Sequence, residues 1–242
     1  MIVILAYHSV AESNYLYSVN PDTFKKQLIF LKKRFKVISL KELLFLLQNK
    51  SEDIVKKKLA VITFDDGLQD NFLNAFPILK ELNLPSVVFV STLFAGRKKT
   101  NDDGYTFKFI SWEEMKEASK EGLVEFQNHT HSHPILTELT NDKIDEEFSV
   151  SKRLLEENLG NKVYATAFPK GKCDERVIRL SKKYFDIGFA DGGIITNINK
   201  TDPFKIPRVN ITSKTSLIKF KIMLRRYFWE IKKFKDKKLF NV

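Results

Sequence analysis

The chain contains only four histidines, His8, His129, His131 and His133, and three of them fall within five residues. Imidazole is the commonest side-chain ligand for a metal ion, and two histidines four apart can reach one ion from a helical turn or a tight loop. His129 and His133 have that spacing, inside Gln127-Asn128-His129-Thr130-His131-Ser132-His133-Pro134. The residue after His129 is a threonine, so the cluster carries no carboxylate of its own. A hydrolytic metal site built on it needs a third ligand and a base from elsewhere. The segment Thr63-Phe64-Asp65-Asp66-Gly67 offers both. Adjacent carboxylates at the end of an apolar strand are costly unless something neutralises them, and a divalent cation does so. Consecutive strand residues point in opposite directions, so one carboxylate can bind an ion while the other faces the reacting water. The competing reading of Asp66-Gly67 is a hairpin turn, but the residues after Gly67 look helical rather than extended.

These residues must be positioned by the elements around them. Apolar runs at 2–6, 35–38, 59–64, 86–90, 124–126, 164–168 and 187–190 read as strands. Most are continuous rather than alternating, as expected where both faces are covered. Between them lie helical patterns at 22–33, 39–47, 71–82, 111–120, 141–159 and 174–184, with a capping box at Ser111 and Glu114 and a terminating Gly160. Such alternation argues for a parallel sheet, open or closed, with a barrel bearing its site at the strand C-termini as the simplest geometry. The polar stretch 94–110 reads as a long loop, and loops of that length at a strand end are often functional.

Together, TFDDG at 63–67 and NHTHSHP at 128–134 resemble the polysaccharide deacetylase family, also called the NodB-homology or carbohydrate esterase family 4 group. Two motifs about sixty residues apart are more specific than either alone. The resemblance covers residues 1–212 and implies a distorted (β/α)7 barrel. It implies Asp65 as the base, and Asp66, His129 and His133 as ligands of a divalent ion. Zinc suits two imidazoles and a carboxylate, with cobalt, nickel and manganese as alternatives. His131 falls on a variable position of the motif.

Phe168-Pro169-Lys170-Gly171 stands where the family carries a motif whose backbone N–H helps form the oxyanion site. Pro169, Lys170 and Gly171 are therefore the expected oxyanion and substrate-binding group, with Lys170 replacing the usual aromatic. A backbone donor does not depend on that side chain. The arginine common two residues before the proline is Ala167 here, and Arg208 is the candidate for a substitute cation beside Asp65. No histidine comes after His133, which leaves His8, in Tyr7-His8-Ser9, as the candidate general acid. That arrangement is similar to a circularly permuted subgroup that begins with a Tyr-His pair. The other reading of His8 is a buried structural histidine.

The resemblance implies hydrolysis of an N-acetyl or N-formyl group on an amino sugar of a polysaccharide, glycolipid or lipid-linked glycan. The alternative is a catalytically inactive carbohydrate- or lipid-binding module on the same fold. The single cysteine, Cys173, excludes an intrachain disulfide framework and fits a reducing compartment. The apolar start is short and lacks a basic flank, so neither a signal peptide nor a transmembrane helix is expected, and a cytoplasmic location is.

The formal charge is +11, and lysine and arginine concentrate in the last thirty residues. Residues 213–242 read as a basic amphipathic helix appended to a single domain, with Leu217, Phe220, Met223, Leu224, Tyr227, Phe228, Ile231 and Phe234 as its apolar stripe. Docking on the barrel is the commoner use of such a stripe, and peripheral contact with an anionic membrane is the other. No nucleic-acid motif accompanies the charge, so no nucleic-acid partner is expected.

Overall fold

A computed structural model describes residues 1–49, 57–101, 103–225 and 228. Seven parallel strands close on themselves: β1 (Ile2–Tyr7), β2 (Leu59–Phe64), β3 (Ser86–Val90), β4 (Val124–Asn128), β5 (Ala165–Ala167), β6 (Ile187–Asp191) and β7 (Ile206–Asn210). Their order around the barrel is their order in the chain, and β1 completes the circle by pairing with both β2 and β7. The expected (β/α)7 barrel is present.

Burial on both faces explains why the strands are continuously apolar. Val3, Leu5 and Tyr7 of β1 join one cluster with Phe24, Leu28 and Phe148 of the surrounding helices. Ile2 and Ile4 join a second cluster with Val61, Phe89, Phe189 and Ile206 inside the barrel. The period of two divides each strand between these cores. Leu40, Leu43 and Leu47 of the helix Leu40–Asn49 belong to the inner cluster and cap the end where the strands begin. The opposite end, where the strands finish, is left for chemistry.

Two strand expectations need correction. The run at 35–38 is not a stave: only Lys36–Val37 is extended, and it pairs with β2 outside the barrel. The seventh stave is instead β7, in which Pro207 and Arg208 obscure the apolar pattern. Pro207 is tolerated because β7 pairs with β1 only at Val209 and Asn210.

The helices fall close to expectation, with differences at their ends. Pro21–Arg34 is capped by Asn20, whose side-chain oxygen accepts from the N–H groups of Asp22 and Thr23. Trp112–Ser119 has its capping box at Ser111 and Glu114, and Asn141–Leu159 ends on left-handed Gly160. The segment expected as one helix from 71 to 82 opens with a wide π turn, Asn71–Ala75, before α-helix Phe76–Leu82. Pro77 lies at the start of that helix, where a missing N–H is harmless.

The stretch expected as a loop at 94–110 contains an antiparallel hairpin, Lys98–Thr100 against Thr106–Lys108. Of the C-terminal segment, Leu217–Met223 is helical, with Phe220, Met223 and Leu224 buried and Phe220 packed on Phe30. Tyr227, Ile231, Phe234 and the rest of the expected helix beyond 228 lie outside the described residues. No helix among the described residues is long and apolar enough to cross a membrane.

Candidate active site

All the candidate residues but Arg208 sit at or just beyond the strand C-termini. His8 follows β1, Asp65 and Asp66 follow β2, and His129 follows β4. Pro169–Gly171 forms a tight turn just after β5, Asp191 ends β6, and Arg208 lies within β7. A cleft of about 300 Å³ is lined by His8, Asp65, Asp66, His129, His133, Lys170, Gly171 and Arg208.

Asp66, His129 and His133 each offer one ligand atom, all within 4.8 Å of one another. Asp66 Oδ1 lies 3.3 Å from His133 Nε2 and 3.6 Å from His129 Nε2. Both distances exceed a good N–H···O bond. They match ligands around one shared ion, because bonds of about 2.0–2.2 Å in tetrahedral array set neighbouring ligand atoms roughly 3.3 Å apart. The histidine tautomer agrees. His129 Nδ1 lies 2.8 Å from the carbonyl oxygen of Ala167, which can only accept, so Nδ1 carries the proton and Nε2 is free to ligate. The set therefore fits a divalent ion. His131 is turned elsewhere, with Nδ1 2.9 Å from Thr92 Oγ1.

The backbone is strained where these residues converge. Asp66, Thr130, His133 and Lys170 all have positive φ, at 69°, 68°, 62° and 55°. Left-handed backbone disfavours side chains, most of all the β-branched threonine. The surrounding contacts enforce it. Asn128 Oδ1 accepts from the N–H of Thr130 and the hydroxyl of Thr166, and Ser151 donates to the Thr130 carbonyl. Glu147, from the long helix Asn141–Leu159, accepts from the N–H groups of His131 and Ser132 at 2.7 and 2.8 Å. Strain held at a cleft is a recurrent feature of functional sites.

Asp65 is only 4% exposed, and burial alone would raise its pKa. Arg208, itself 2% exposed, overcomes this with a two-pronged contact: Nη1 donates to Oδ1 at 2.6 Å and Nη2 to Oδ2 at 2.7 Å. With smaller help from His129 and His8, the carboxyl is held well below the usual carboxylate range. Arg208 Nη1 also reaches Thr63 Oγ1 at 3.3 Å, and that hydroxyl donates to the Leu5 carbonyl. Asp65 in turn raises the arginine pKa against the opposing effect of its burial. Burial is the largest influence on His129 and pushes its pKa down to about 4. His8 Nε2 stands 4.0 Å from Asp65 Oδ2, and its ring packs on Tyr17 at 4.8 Å.

The structure thus brings the expected residues to one cleft, except Pro169, which is buried in the turn behind Lys170, and it adds others. Tyr15, Tyr17, Asp191 and Asn210 also line it. Asp70 holds the turn after His8: Oδ2 accepts from Ser9 Oγ at 2.7 Å and Oδ1 from the Val10 N–H at 3.0 Å. A Tyr-x-Tyr pair in a polar loop after His8 was the available signal for the tyrosines. Asp70 and Glu147 carried none, because their partners lie 60–61 and 15–16 residues away.

Residues 52–185 match the family model described as polysaccharide deacetylase. A poly-beta-1,6-N-acetyl-D-glucosamine N-deacetylase of Staphylococcus aureus (strain MRSA252) is 28% identical over 233 residues, spanning 86% of this chain and 78% of that protein. Among solved structures, a Streptococcus pyogenes deacetylase, PplD, in complex with acetate, superposes with a TM-score of 0.78 at 26% identity, over 93% of this chain and 98% of that one. IcaB from Ammonifex degensii shares the fold at a TM-score of 0.80 and 24% identity, over 92% and 96% of the two chains.

Proposed function

Because the chain belongs to the polysaccharide deacetylase family, we propose that it removes N-acetyl groups from the amino sugars of a polysaccharide by metal-dependent hydrolysis. The observation that carries this reading is the convergence of Asp66, His129 and His133 into one ligand set beside the Arg208-held Asp65. A relative that acts on poly-beta-1,6-N-acetyl-D-glucosamine supports a substrate of linked N-acetylglucosamine units.

Asp66 Oδ1, His129 Nε2 and His133 Nε2 would hold the ion, with zinc the best match to two imidazoles and one carboxylate. The chemistry such an ion supplies is polarisation of the acyl carbonyl and acidification of a water molecule. Asp65 stays ionised, since Arg208 stabilises its charge. Each of its oxygens accepts one bond from Arg208 and retains a lone pair. It takes a proton from the water that adds to the acyl carbon. The backbone N–H of Lys170 is assigned to the oxyanion that develops, in the turn held by Pro169 and Gly171. His8 delivers a proton to the nitrogen as the C–N bond breaks, and the products are acetate and a free amine.

Acetate release from N-acetylglucosamine oligomers, measured with and without chelator, tests the reading. Chelator-sensitive release supports it. Oligomer binding without any release, whatever metal is added, would make the protein a binding module instead.

A further inference from the structure

The helix Leu217–Met223 is apolar on two sides, and the barrel covers only one of them. Phe220, Met223 and Leu224 are buried, and Phe220 packs on Phe30 of the helix Pro21–Arg34. The helical period places Ile218 and Ile222 one turn apart on the opposite side. They are 72% and 44% exposed, where a helix docked by a single stripe carries polar side chains.

Cations flank this pair. Lys219 stands to one side of it, Lys221 and Arg225 to the other, and all three are exposed. The neighbouring helix repeats the arrangement, since exposed Ile29 has exposed Lys26 and Lys33 in the adjacent turns. Lys221 Nζ lies 5.4 Å from the centre of the Phe30 ring, which joins the two patches into one face. No carboxylate among the described residues forms an ion pair with Lys26, Lys33, Lys219, Lys221 or Arg225. The helix Asn141–Leu159 shows the usual alternative, with surface cations matched as Lys143–Glu146, Lys152–Glu156 and Arg153–Glu157.

An occupant complementary to this face is apolar inside and negatively charged at its surface, which describes a bilayer of anionic lipid. The rest of the chain does not supply it: residues 229–242 hold five lysines against two carboxylates and add to the positive charge. A second copy, paired face to face, sets like charges together. A soluble polyanion meets the cations and leaves the isoleucines in water. The face also adjoins the cleft. The Ser213 N–H, three residues before the capping Ser216, donates to the Leu16 carbonyl at 2.8 Å. Leu16 is exposed, and its chain neighbours Tyr15 and Tyr17 line the cleft.

We propose that this face, built on Ile218 and Ile222 with their flanking cations, seats the protein on an anionic lipid surface with the cleft opening beside it. Lipid binding requires no catalytic residue, so this proposal and the deacetylase reading stand or fall separately. The test sediments the full chain with vesicles of mixed phosphatidylglycerol and phosphatidylcholine, and with vesicles of phosphatidylcholine alone. The unaltered protein should bind the mixed vesicles at least about tenfold more tightly, and added salt should weaken that binding. Ile218→Ser combined with Ile222→Ser should lower partitioning to the mixed vesicles by about tenfold, and so should Lys219→Glu combined with Lys221→Glu. Ile218→Leu combined with Ile222→Leu should retain it. Unfolding midpoints, which surface substitutions change little, show that each variant is folded, and the glutamate pair carries the test if the serine pair is not. Undiminished binding by folded serine or glutamate variants would overturn the proposal. Equal binding to both vesicle types, or none to either, would overturn it as well. A dimer of the unaltered protein that the serine variant abolishes, without loss of vesicle binding, would assign the face to a second copy instead.

Discussion

Arg208 and Asp65, 143 residues apart, meet as a buried two-pronged ion pair in which each guanidinium nitrogen takes one carboxylate oxygen. Arg208 comes from the last stave of the barrel and Asp65 from the end of the second. The pair orients Asp65 and keeps it charged in a site that burial would otherwise neutralise. Arg208→Ala leaves a buried carboxylate alone and should cost about 3–5 kcal/mol. Arg208→Lys should recover part of this, since one ammonium cannot bridge both oxygens as a planar fork does. Urea unfolding checks the stability and acetate release checks the chemistry. Unchanged midpoint and rate in Arg208→Ala would show that the pair does nothing for Asp65.

The metal-free protein should weaken in mild acid because of His129. Its pKa falls to about 4 in the fold, mainly through burial, against about 6.5 in an unfolded chain. Between those values the unfolded state binds more protons, so stability rises with pH across the window and falls as the pH drops from about 6.5 to 4. The shift corresponds to a loss on the order of 3 kcal/mol. Asp65 acts lower: its pKa is depressed in the fold, so its contribution is present above the unfolded carboxylate range and is lost below it. Unfolding midpoints of chelated protein across this range, with His129→Gln for comparison, measure the first effect. A slope between pH 4 and 6.5 that persists undiminished in His129→Gln would assign it elsewhere.

Asp70 should act on turnover through His8. It holds Ser9 Oγ and the Val10 N–H, and Ser9 also bonds Ser18 at 2.9 Å, so the turn after His8 hangs on this carboxylate. Asp70→Ala should lower kcat by about tenfold or more with little change in KM. In a His8→Ala background the same change should add almost nothing. Fully additive losses would mean that Asp70 works by another route.

Gly171 and Gly160 make a matched pair of probes. Both have positive φ, at 64° and 69°. A Cβ on Gly171 would lie 2.4 Å from Asp191 Cγ and 2.7 Å from the Asp191 backbone nitrogen, whereas one on Gly160 would meet nothing within 4 Å. Gly160→Ala should cost only the backbone strain, about 1 kcal/mol. Gly171→Ala should cost more and also lower activity, because the turn that carries Lys170 must shift. Equal thermal shifts in the two variants would argue against close packing at Asp191.

The sequence carried much of this site because its chemistry is local. Asp65 and Asp66 are neighbours, and His129 and His133 share one turn. The apolar staves announced themselves because burial on both faces demands continuous hydrophobicity. β7 was hidden by the same rule, since its Arg208 and neighbouring Pro207 interrupt the pattern, while 35–38 mimicked a stave without pairing as one. The hairpin at 98–108 is polar on one face and short, so no periodicity marked it. Asp70, Glu147 and Tyr15 act through contacts that only the closed barrel creates.

The proposed chemistry turns on Asp65 activating water beside an ion held by Asp66, His129 and His133. Acetate release from an N-acetylglucosamine oligomer by Asp65→Asn, with bound metal quantified in the same sample, tests this most directly. The expected result is a folded protein that keeps its ion and loses at least about 100-fold in rate. An Asp65→Asn variant that releases acetate at the unaltered rate, or chelated protein that remains fully active, would contradict it.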